Sequence, residues 1–188
     1  MELILASKSP RRCELLRRCG FDFKVITADP GELTTAPDLR QLPELNARLK
    51  AAAVAALYPD ACVLGADTMI LFDHRAVGKP ADLTEAAQFL REFSGRTHEV
   101  ITGIALCRPG GSCESWHEVS RVRFKELTEA VIAEYLRLVP VLDKAGAYAI
   151  QEHGDMIVAE YSGELENIIG LPLQKLCRKL SFLNGNRA

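Results

Sequence analysis

The sequence has few of the residue patterns that bind zinc or cross-link a chain. Its six cysteines are scattered without a CxxC pair, and its four histidines form no HxH or HExxH pattern. A zinc site is therefore not expected. A chain of 188 residues, 48% of them apolar, can bury a core without cross-links, so we predict reduced thiols in a cytosolic protein. A set of disulfides is the alternative that an even number of cysteines leaves open.

Long apolar runs and an excess of one charge are also missing. No stretch approaches the roughly 20 apolar residues that span a membrane. The first apolar run, Leu3 to Ala6, is short and is followed by Lys8 and Arg11, which is not the order of a secretory signal. Because 23 basic residues face 25 acidic ones, neither nucleic acid nor a membrane is expected as a partner. Any anion must be bound by a local cluster of residues.

A glycine pattern for dinucleotides is absent as well. A Rossmann fold places GxGxxG after its first strand, whereas here the predicted strand at 3–6 leads into Ser7-Lys8-Ser9-Pro10-Arg11-Arg12. The Ser-Pro pair is typical of a helix start, and Gly20 of a helix end. Apolar and polar residues then alternate over 21–25, which predicts a second strand.

The next segment predicts a long loop, a helix and a broken strand. Residues 27–43 contain three prolines and form a loop longer than most connections. An alanine-rich amphipathic helix is predicted for Glu44 to Tyr58. We assign its inner face to Leu45, Leu49, Ala52, Ala53 and Ala56. Apolar residues 62–66 and 69–72 predict strand material that Asp67-Thr68 interrupts.

Beyond residue 80, helices and strands follow in a mixed order. We predict helices over 82–93, over 129–139 and from Pro172 to about residue 183, and strands over 100–107, 116–124, 147–150 and 156–161. No repeat or flexible linker interrupts this order. Hairpins combined with helical connections favour an α/β sandwich with a mixed sheet over a parallel Rossmann sheet.

Ser7, Ser9, Arg11 and Arg12 form the first candidate site, where the first strand turns into the first helix. Free N–H groups at a helix start and guanidinium groups both bind phosphate oxygens. The helix dipole disfavours cations at this end, so a bound anion would explain the arginine pair. The alternative is a surface helix with solvated arginines.

Asp67 forms the second candidate site. A carboxylate at the end of a buried strand can bind a divalent cation or accept a proton from water, as phosphoanhydride hydrolysis requires. Lys50 and Lys79 could bind phosphate, and Glu32 could join Asp67 as a metal ligand. The alternatives are an aspartate that caps a turn and charges that are only solvated.

Seven motifs together resemble the Maf family, the septum-formation-inhibitor-like nucleotide pyrophosphatases. They are Leu5-Ala6-Ser7-Lys8-Ser9-Pro10-Arg11-Arg12, Ala47-Arg48-Leu49-Lys50-Ala51, Gly65-Ala66-Asp67-Thr68, Gly78-Lys79-Pro80, Ser94-Gly95-Arg96-Thr97-His98-Glu99-Val100, Lys144-Ala145-Gly146-Ala147-Tyr148-Ala149-Ile150-Gln151 and Gly170-Leu171-Pro172. The resemblance spans almost the whole chain, so a single domain over residues 1–188 is expected. It implies an elongated mixed-sheet α/β fold similar to the inosine-triphosphate pyrophosphatases, with a cleft between two lobes, and commonly a homodimer.

The resemblance also implies a reaction, the cleavage of a nucleoside triphosphate between its α and β phosphates. Asp67 then corresponds to the general base. The implied substrate-binding residues are Ser7, Arg11, Arg12, Glu32, Lys50, Thr68, Lys79 and Gln151. A divalent cation, Mg²⁺, Mn²⁺ or Co²⁺, is the implied cofactor, with Asp67 and Glu32 as its ligands. No nucleic acid or membrane partner is implied, and the location is cytoplasmic.

The segment from Lys144 to Gln151 resembles the branch of the family that acts on dTTP and UTP. Arg11, Thr68 and Gln151 are the positions that this branch implies for substrate choice, and a glutamine amide suits a pyrimidine edge because it carries both a donor and an acceptor. The chain departs from the family pattern at Glu152, where glycine is usual, and in the acidic run 163–167. A different class of function is a nucleotide-binding regulator of cell division with little turnover.

Overall fold

The computed structural model describes residues 1–181 and 183, and within them the chain alternates short helices with strands. The strands are β1 (Leu3–Leu5), β2 (Lys24–Val25), β3 (Cys62–Phe72), β4 (Arg75–Val77), β5 (Thr97–Cys107), β6 (Cys113–Phe124) and β7 (Val158–Ser162). The helices are α1 (Pro10–Arg18), α2 (Leu42–Ala55), α3 (Leu83–Phe93), α4 (Glu129–Leu138), α5 (Gly154–Ile157), α6 (Leu165–Ile169) and α7 (Leu173–Leu180). Short 3₁₀ turns cover Leu39–Gln41 and Ala145–Ala147.

The strands form one mixed sheet, as predicted. Their order is β2-β1-β3-β5-β6-β7, and β4 pairs with β3. β1 runs parallel to β2 and to β3, whereas β4 is antiparallel to β3 and β7 is antiparallel to β6. The α/β class with a mixed sheet is therefore confirmed.

The chain folds into two compact units. The first comprises Met1–Thr68, Thr102–Glu118 and Gly170–Ala188, and the second comprises Met69–Ile101 and Val119–Ile169. The first has a core of small apolar residues between α2 and the strands, and the second has a core rich in aromatic rings. None of the helices described is long and apolar enough to cross a membrane.

Close packing of α2 against β3 shapes the first unit. Ala47 and Ala51 of α2 are fully buried, and a Cβ atom added at Gly65 would lie 2.2 Å from the carbonyl oxygen of Ala47. Only glycine on the strand allows this approach. The inner face predicted for α2 is therefore wrong, since Leu49 is 36% exposed and Ala52 is exposed too. The buried face of the helix instead contains Asn46, Ala47, Ala51 and Val54, and Gly65 makes room for it at Ala47 and Ala51.

β3 runs without a break through Asp67 and Thr68, so the predicted interruption is wrong. Both residues are half-buried within the strand. A strand accommodates polar residues where hydrogen bonds satisfy them, and both have such partners: Lys50 donates to Asp67, and the hydroxyls of Thr68 and Thr102 are 3.0 Å apart. The carboxylate that the sequence placed at the end of a strand lies in the middle of one.

Three other predicted elements differ in length or kind. Residues 147–150 do not form a strand, because Gly146 and Ala147 have φ angles of +68° and +60° and turn the backbone into the left-handed region. The strand predicted over 21–25 is reduced to Lys24–Val25. The last helix ends at Leu180, and the part of that prediction that falls on residue 182 lies outside the described residues.

Two disulfides overturn the expectation of six reduced thiols. Cys19 pairs with Cys177, and Cys107 pairs with Cys113 at the β5–β6 turn. Cys13 and Cys62 are free and buried. The spacing in sequence could not reveal the first bond, because its cysteines are 158 residues apart and only the packing of α7 beside the end of α1 brings them together. The chain is long enough to fold without disulfides, but that does not prevent it from forming them.

Candidate active site

In the first unit, Arg12 connects three of the seven sequence motifs. Its Nε donates to the carbonyl oxygen of Gly170 at 2.9 Å, and its two terminal nitrogens donate to the hydroxyls of Ser7 at 3.1 Å and Thr68 at 2.9 Å. Segments near residues 7, 68 and 170 of the chain therefore meet at one guanidinium. Three of its five N–H groups are used in this way, which leaves two for a ligand.

Burial lowers the pKa of the Arg12 guanidinium, and the nearby charge of Arg11 lowers it further, while the carboxylates of Asp67 and Glu32 raise it. An arginine stays protonated under such a shift. The sequence analysis explained the positive charge of Arg12 at a helix start by a bound anion. Carboxylates of the protein itself also offset that charge.

The start of α1 is built as the sequence predicted. Ser9 caps the helix, accepting from the backbone N–H of Arg12 at 3.5 Å, and Pro10 takes the first helical position. The first turn holds no acidic residue, so the partial positive charge of the helix end is not cancelled within the helix. Arg11, half-buried, follows on the same turn. This arrangement suits a phosphate group.

Lys50, Asp67 and Glu32 form a cluster of three charges. The Lys50 ammonium donates to Oδ1 of Asp67 at 2.7 Å and lies 2.6 Å from Oε1 of Glu32. Lys50 and Asp67 are 17% and 16% exposed, whereas Glu32, from the loop before α2, is 58% exposed. The sequence placed these residues in one site, and the structure brings them together.

Two residues that the sequence did not single out contact Asp67 or its neighbour Thr68. Asn46 lies one turn before Lys50 on α2, and its Nδ2 is 3.5 Å from Oδ2 of Asp67. Thr102 of β5 is fully buried, with its hydroxyl 3.0 Å from that of Thr68. The four-residue spacing of Asn46 and Lys50 was an available signal, because it places both side chains on one face of a helix.

The carboxylates of Asp67 and Glu32 suit a divalent cation. Mg²⁺ is usually held by one or two carboxylates together with substrate phosphates and water, rather than by a cage of protein ligands alone. Both carboxylates here face one point, at which the Lys50 ammonium lies. Within 1–181 and 183 there is no group of three or more His, Cys, Asp or Glu side chains placed to hold a metal, so the phosphates would have to complete the coordination.

The second unit gathers the other three motifs. The backbone N–H of Gly146 donates to the carbonyl oxygen of Gly78 at 2.9 Å, which joins Gly78-Lys79-Pro80 to the segment that ends at Gln151. His98, of the motif over 94–100, forms a 2.8 Å hydrogen bond with the hydroxyl of Tyr148. Lys79 and Gln151 are both exposed. They lie in a different unit from Asp67.

The backbone just before Gln151 is held by a buried tyrosine. The hydroxyl of Tyr135 accepts from the N–H of Ala149 at 3.0 Å and donates to the carbonyl oxygen of the same residue at 3.2 Å. Glu152, the departure from the family pattern, lies 3.7 Å from the ammonium of Lys144, which is 4% exposed. The extra negative charge at position 152 therefore lies near a cation, which also pairs with Asp143 at 2.8 Å.

His98 is a buried, neutral histidine that makes stability depend on pH. It is 2% exposed and packs among Phe93, Phe124 and Tyr148. Burial lowers its pKa to about 3, against about 6.5 in an unfolded chain. Between these values the unfolded chain binds the proton and the folded chain does not, so stability falls as pH falls.

We expect the free energy of unfolding to drop by at most about 1.4 kcal/mol per pH unit from this group as pH falls from about 6.5 towards 3. Urea unfolding at pH 5 and pH 7 measures it. The difference between the two pH values should shrink in His98→Gln, which keeps a partner for Tyr148. It should persist in His74→Asn, because His74 is exposed. An unchanged difference in His98→Gln would assign the pH dependence to other groups.

Solved structures with the same architecture come from proteins called Ham1. The Staphylococcus aureus Ham1 protein matches with a TM-score of 0.52 and 16% identity, over 100% of each chain. The HAM1 protein from Coxiella burnetii matches with a TM-score of 0.51 and 15% identity, over 97% of this chain and 99% of the other. These likenesses define the class of fold.

Sequence comparison then gives the family. The model of the family described as Maf-like protein matches residues 2–183. A protein of Akkermansia muciniphila named dTTP/UTP pyrophosphatase is 45% identical, over 99% of this chain and 98% of its own. Proteins of that name from Koribacter versatilis and Bacillus cereus are 43% and 39% identical, over 96% and 97% of this chain and 93% and 96% of theirs. The chain belongs to the Maf family, and the resemblance drawn from its motifs is confirmed.

Proposed function

We propose that the protein is a nucleoside triphosphate pyrophosphatase that hydrolyses dTTP and UTP to the monophosphate and pyrophosphate. The observation that carries the proposal is the cluster of Asp67, Lys50 and Glu32, which lies in the same unit as a helix start bearing two arginines. The relatives named dTTP/UTP pyrophosphatase support the choice of substrate, because they match more than nine-tenths of this chain.

Asp67 is the general base of this proposal. A carboxylate that accepts a proton from water makes that water a better nucleophile towards the α phosphorus. The donors on its two oxygens, Lys50 on Oδ1 and Asn46 on Oδ2, fix the direction in which the carboxylate points. Water activated by Asp67 attacks phosphorus, the bond to the bridging oxygen breaks, and pyrophosphate leaves with the electron pair.

Cationic groups of the first unit offset the charge of the triphosphate. Lys50 stabilises the charge that develops on the departing pyrophosphate. Arg11 and the N–H groups at the start of α1 bind phosphate oxygens. Arg12 has a second task, because it holds Ser7, Thr68 and Gly170 in place, so its loss would disturb the site as well as remove a charge.

A divalent cation, Mg²⁺, Mn²⁺ or Co²⁺, belongs to the proposal, with Asp67 and Glu32 as its protein ligands. Such an ion would neutralise the phosphate oxygens and polarise the bond to be cleaved. In the second unit, Lys79 is assigned to phosphate and Gln151 to the pyrimidine edge, on the strength of the family motifs. A homodimer and a cytoplasmic location complete the proposal.

One assay tests the reaction and the substrate together. The protein is incubated with dTTP, UTP, dCTP, ATP, GTP and methylated pyrimidine triphosphates, each with Mg²⁺, Mn²⁺ or Co²⁺, and the products are separated. Pyrophosphate released fastest from dTTP and UTP is the expected result. Orthophosphate would identify an ordinary NTPase, and tight binding without products would identify the nucleotide-binding regulator; either result would overturn the proposal.

A further inference from the structure

Asn46 is a buried amide that contacts the Asp67 carboxylate and the backbone of Leu33, the residue after Glu32. It lies on α2, one turn before Lys50, and only 4% of it is exposed. A buried amide must find hydrogen-bond partners for both its oxygen and its nitrogen. The other buried residues of α2 are all apolar, so the hydrogen-bond partners of Asn46 have to explain why an asparagine is buried among them.

The partners of Asn46 fix which way its amide points. Its Oδ1 accepts from the backbone N–H of Leu33 at 2.8 Å, and its Nδ2 donates to the carbonyl oxygen of Leu33 at 3.1 Å. A backbone N–H can only donate, so Oδ1 must face Leu33. Nδ2 is then also left facing Oδ2 of Asp67, 3.5 Å away.

The same pairing determines where Glu32 lies. Leu33 belongs to the irregular segment before α2, and its two hydrogen bonds to Asn46 attach that segment to the helix. Glu32 precedes Leu33, and its carboxylate lies 2.6 Å from the Lys50 ammonium. An exposed glutamate on a long loop has little else to hold it in one place.

We propose that Asn46 is a positioning residue that holds Glu32 and Asp67 around Lys50. The inference rests on the proposed function, because it assigns Asn46 a part in the same reaction. A displacement of about 1 Å in a catalytic group can lower a rate by about 100-fold. A purely structural asparagine would instead affect stability and leave the kinetics of the folded enzyme unchanged.

Asn46→Leu tests the proposal, because leucine has a similar volume and no hydrogen-bonding groups. We expect kcat to fall by about 10-fold to 100-fold, with a smaller change in KM. In a Glu32→Gln background the same substitution should cost much less, since residues that act as a unit are not additive. Asn46→Ser, too short to reach Leu33, serves if the leucine variant does not fold.

Asn167→Leu is the matched control. Asn167 is fully buried in the second unit and donates to the carbonyl oxygen of Val100 and to the hydroxyl of Ser120. Its loss should lower the melting temperature without lowering kcat. Wild-type kcat in Asn46→Leu, or an equal loss in the presence and absence of Glu32, would overturn the proposal.

Amide exchange separates this inference from the proposed function. The N–H of Leu33 should exchange slowly in the wild type and fast in Asn46→Leu, whatever reaction the protein catalyses. Fast exchange of Leu33 in the wild type would overturn the positioning role even in an active pyrophosphatase. A wild type that releases no pyrophosphate would overturn the proposed function instead, whether or not Leu33 is protected.

Discussion

Replacing Asp67 by asparagine should lower kcat by about 100-fold or more while the protein keeps its fold. Asparagine has the same shape, and its oxygen can still accept a hydrogen bond from the Lys50 ammonium. In the wild type this ammonium lies 2.7 Å from Oδ1 of Asp67. What is lost is the charge that accepts a proton from water, and removal of a general base costs about 10²-fold to 10⁴-fold. The measurement is pyrophosphate release from dTTP and UTP at saturating concentration.

Substrate binding should separate the loss of the base from the loss of the site. With one negative charge fewer near Arg12 and Lys50, the variant should bind a triphosphate at least as tightly as the wild type when no metal is present, which calorimetry measures. Asp60→Asn is the matched control, because Asp60 is exposed in the same unit and its loss should leave kcat unchanged. Near-normal turnover in Asp67→Asn would reject the assignment of the base.

The motifs predicted that Lys50, Asp67 and Glu32 lie together, as they do, but they also predicted Lys79 there, and Lys79 lies in the other unit. Around residue 12, the sequence correctly predicted the strand and the helix that begins at Ser9-Pro10 and carries the two arginines. Capping and proline preferences are local, so they can be read from sequence alone. The sequence also indicated that an arginine at this end of a helix needs a negative partner. It could not show that the carboxylates of Asp67 and Glu32 act on that arginine, because they come from a strand and a loop far along the chain.

The face of α2 was predicted wrongly for a physical reason. Periodicity ranks large apolar residues as the buried ones, but the strand beneath this helix carries Gly65, and the helix approaches that glycine through Ala47 and Ala51. Leu49 therefore faces outwards. Asn46 was missed by the same reasoning, since the periodicity takes only apolar residues as buried.

The remaining differences arise where distant parts of the chain meet. Asp67 was read as a break in a strand because its polarity interrupts an apolar run, yet hydrogen bonds from α2 allow the strand to continue. The bond between Cys19 and Cys177 joins two residues that are 158 positions apart in the sequence. Tertiary contacts of this kind leave no trace in local periodicity.

Replacing Lys50 by methionine should lower kcat/KM by about 100-fold to 1000-fold. A cationic group aimed at charge that develops in the transition state is worth about that much, and methionine keeps the length of the side chain while removing the ammonium. The same change leaves Asp67 and Glu32 without the cation they share. Two ionised carboxylates close together repel each other, and they also repel a triphosphate. Without metal, the variant should therefore bind a triphosphate less tightly.

Lys50→Arg and Lys24→Met distinguish charge from geometry. Lys50→Arg retains a cation of different shape and should keep part of the activity, because arginine and lysine place their charges differently. Lys24 also pairs with a glutamate, Glu2, but it is 65% exposed, and its loss should leave turnover unchanged. If Lys50→Met hydrolysed dTTP at the wild-type rate, the ammonium would serve only to pair the carboxylates in the free protein. A large loss in Lys50→Met, with a small one in Lys24→Met, would identify the position of the charge as the cause.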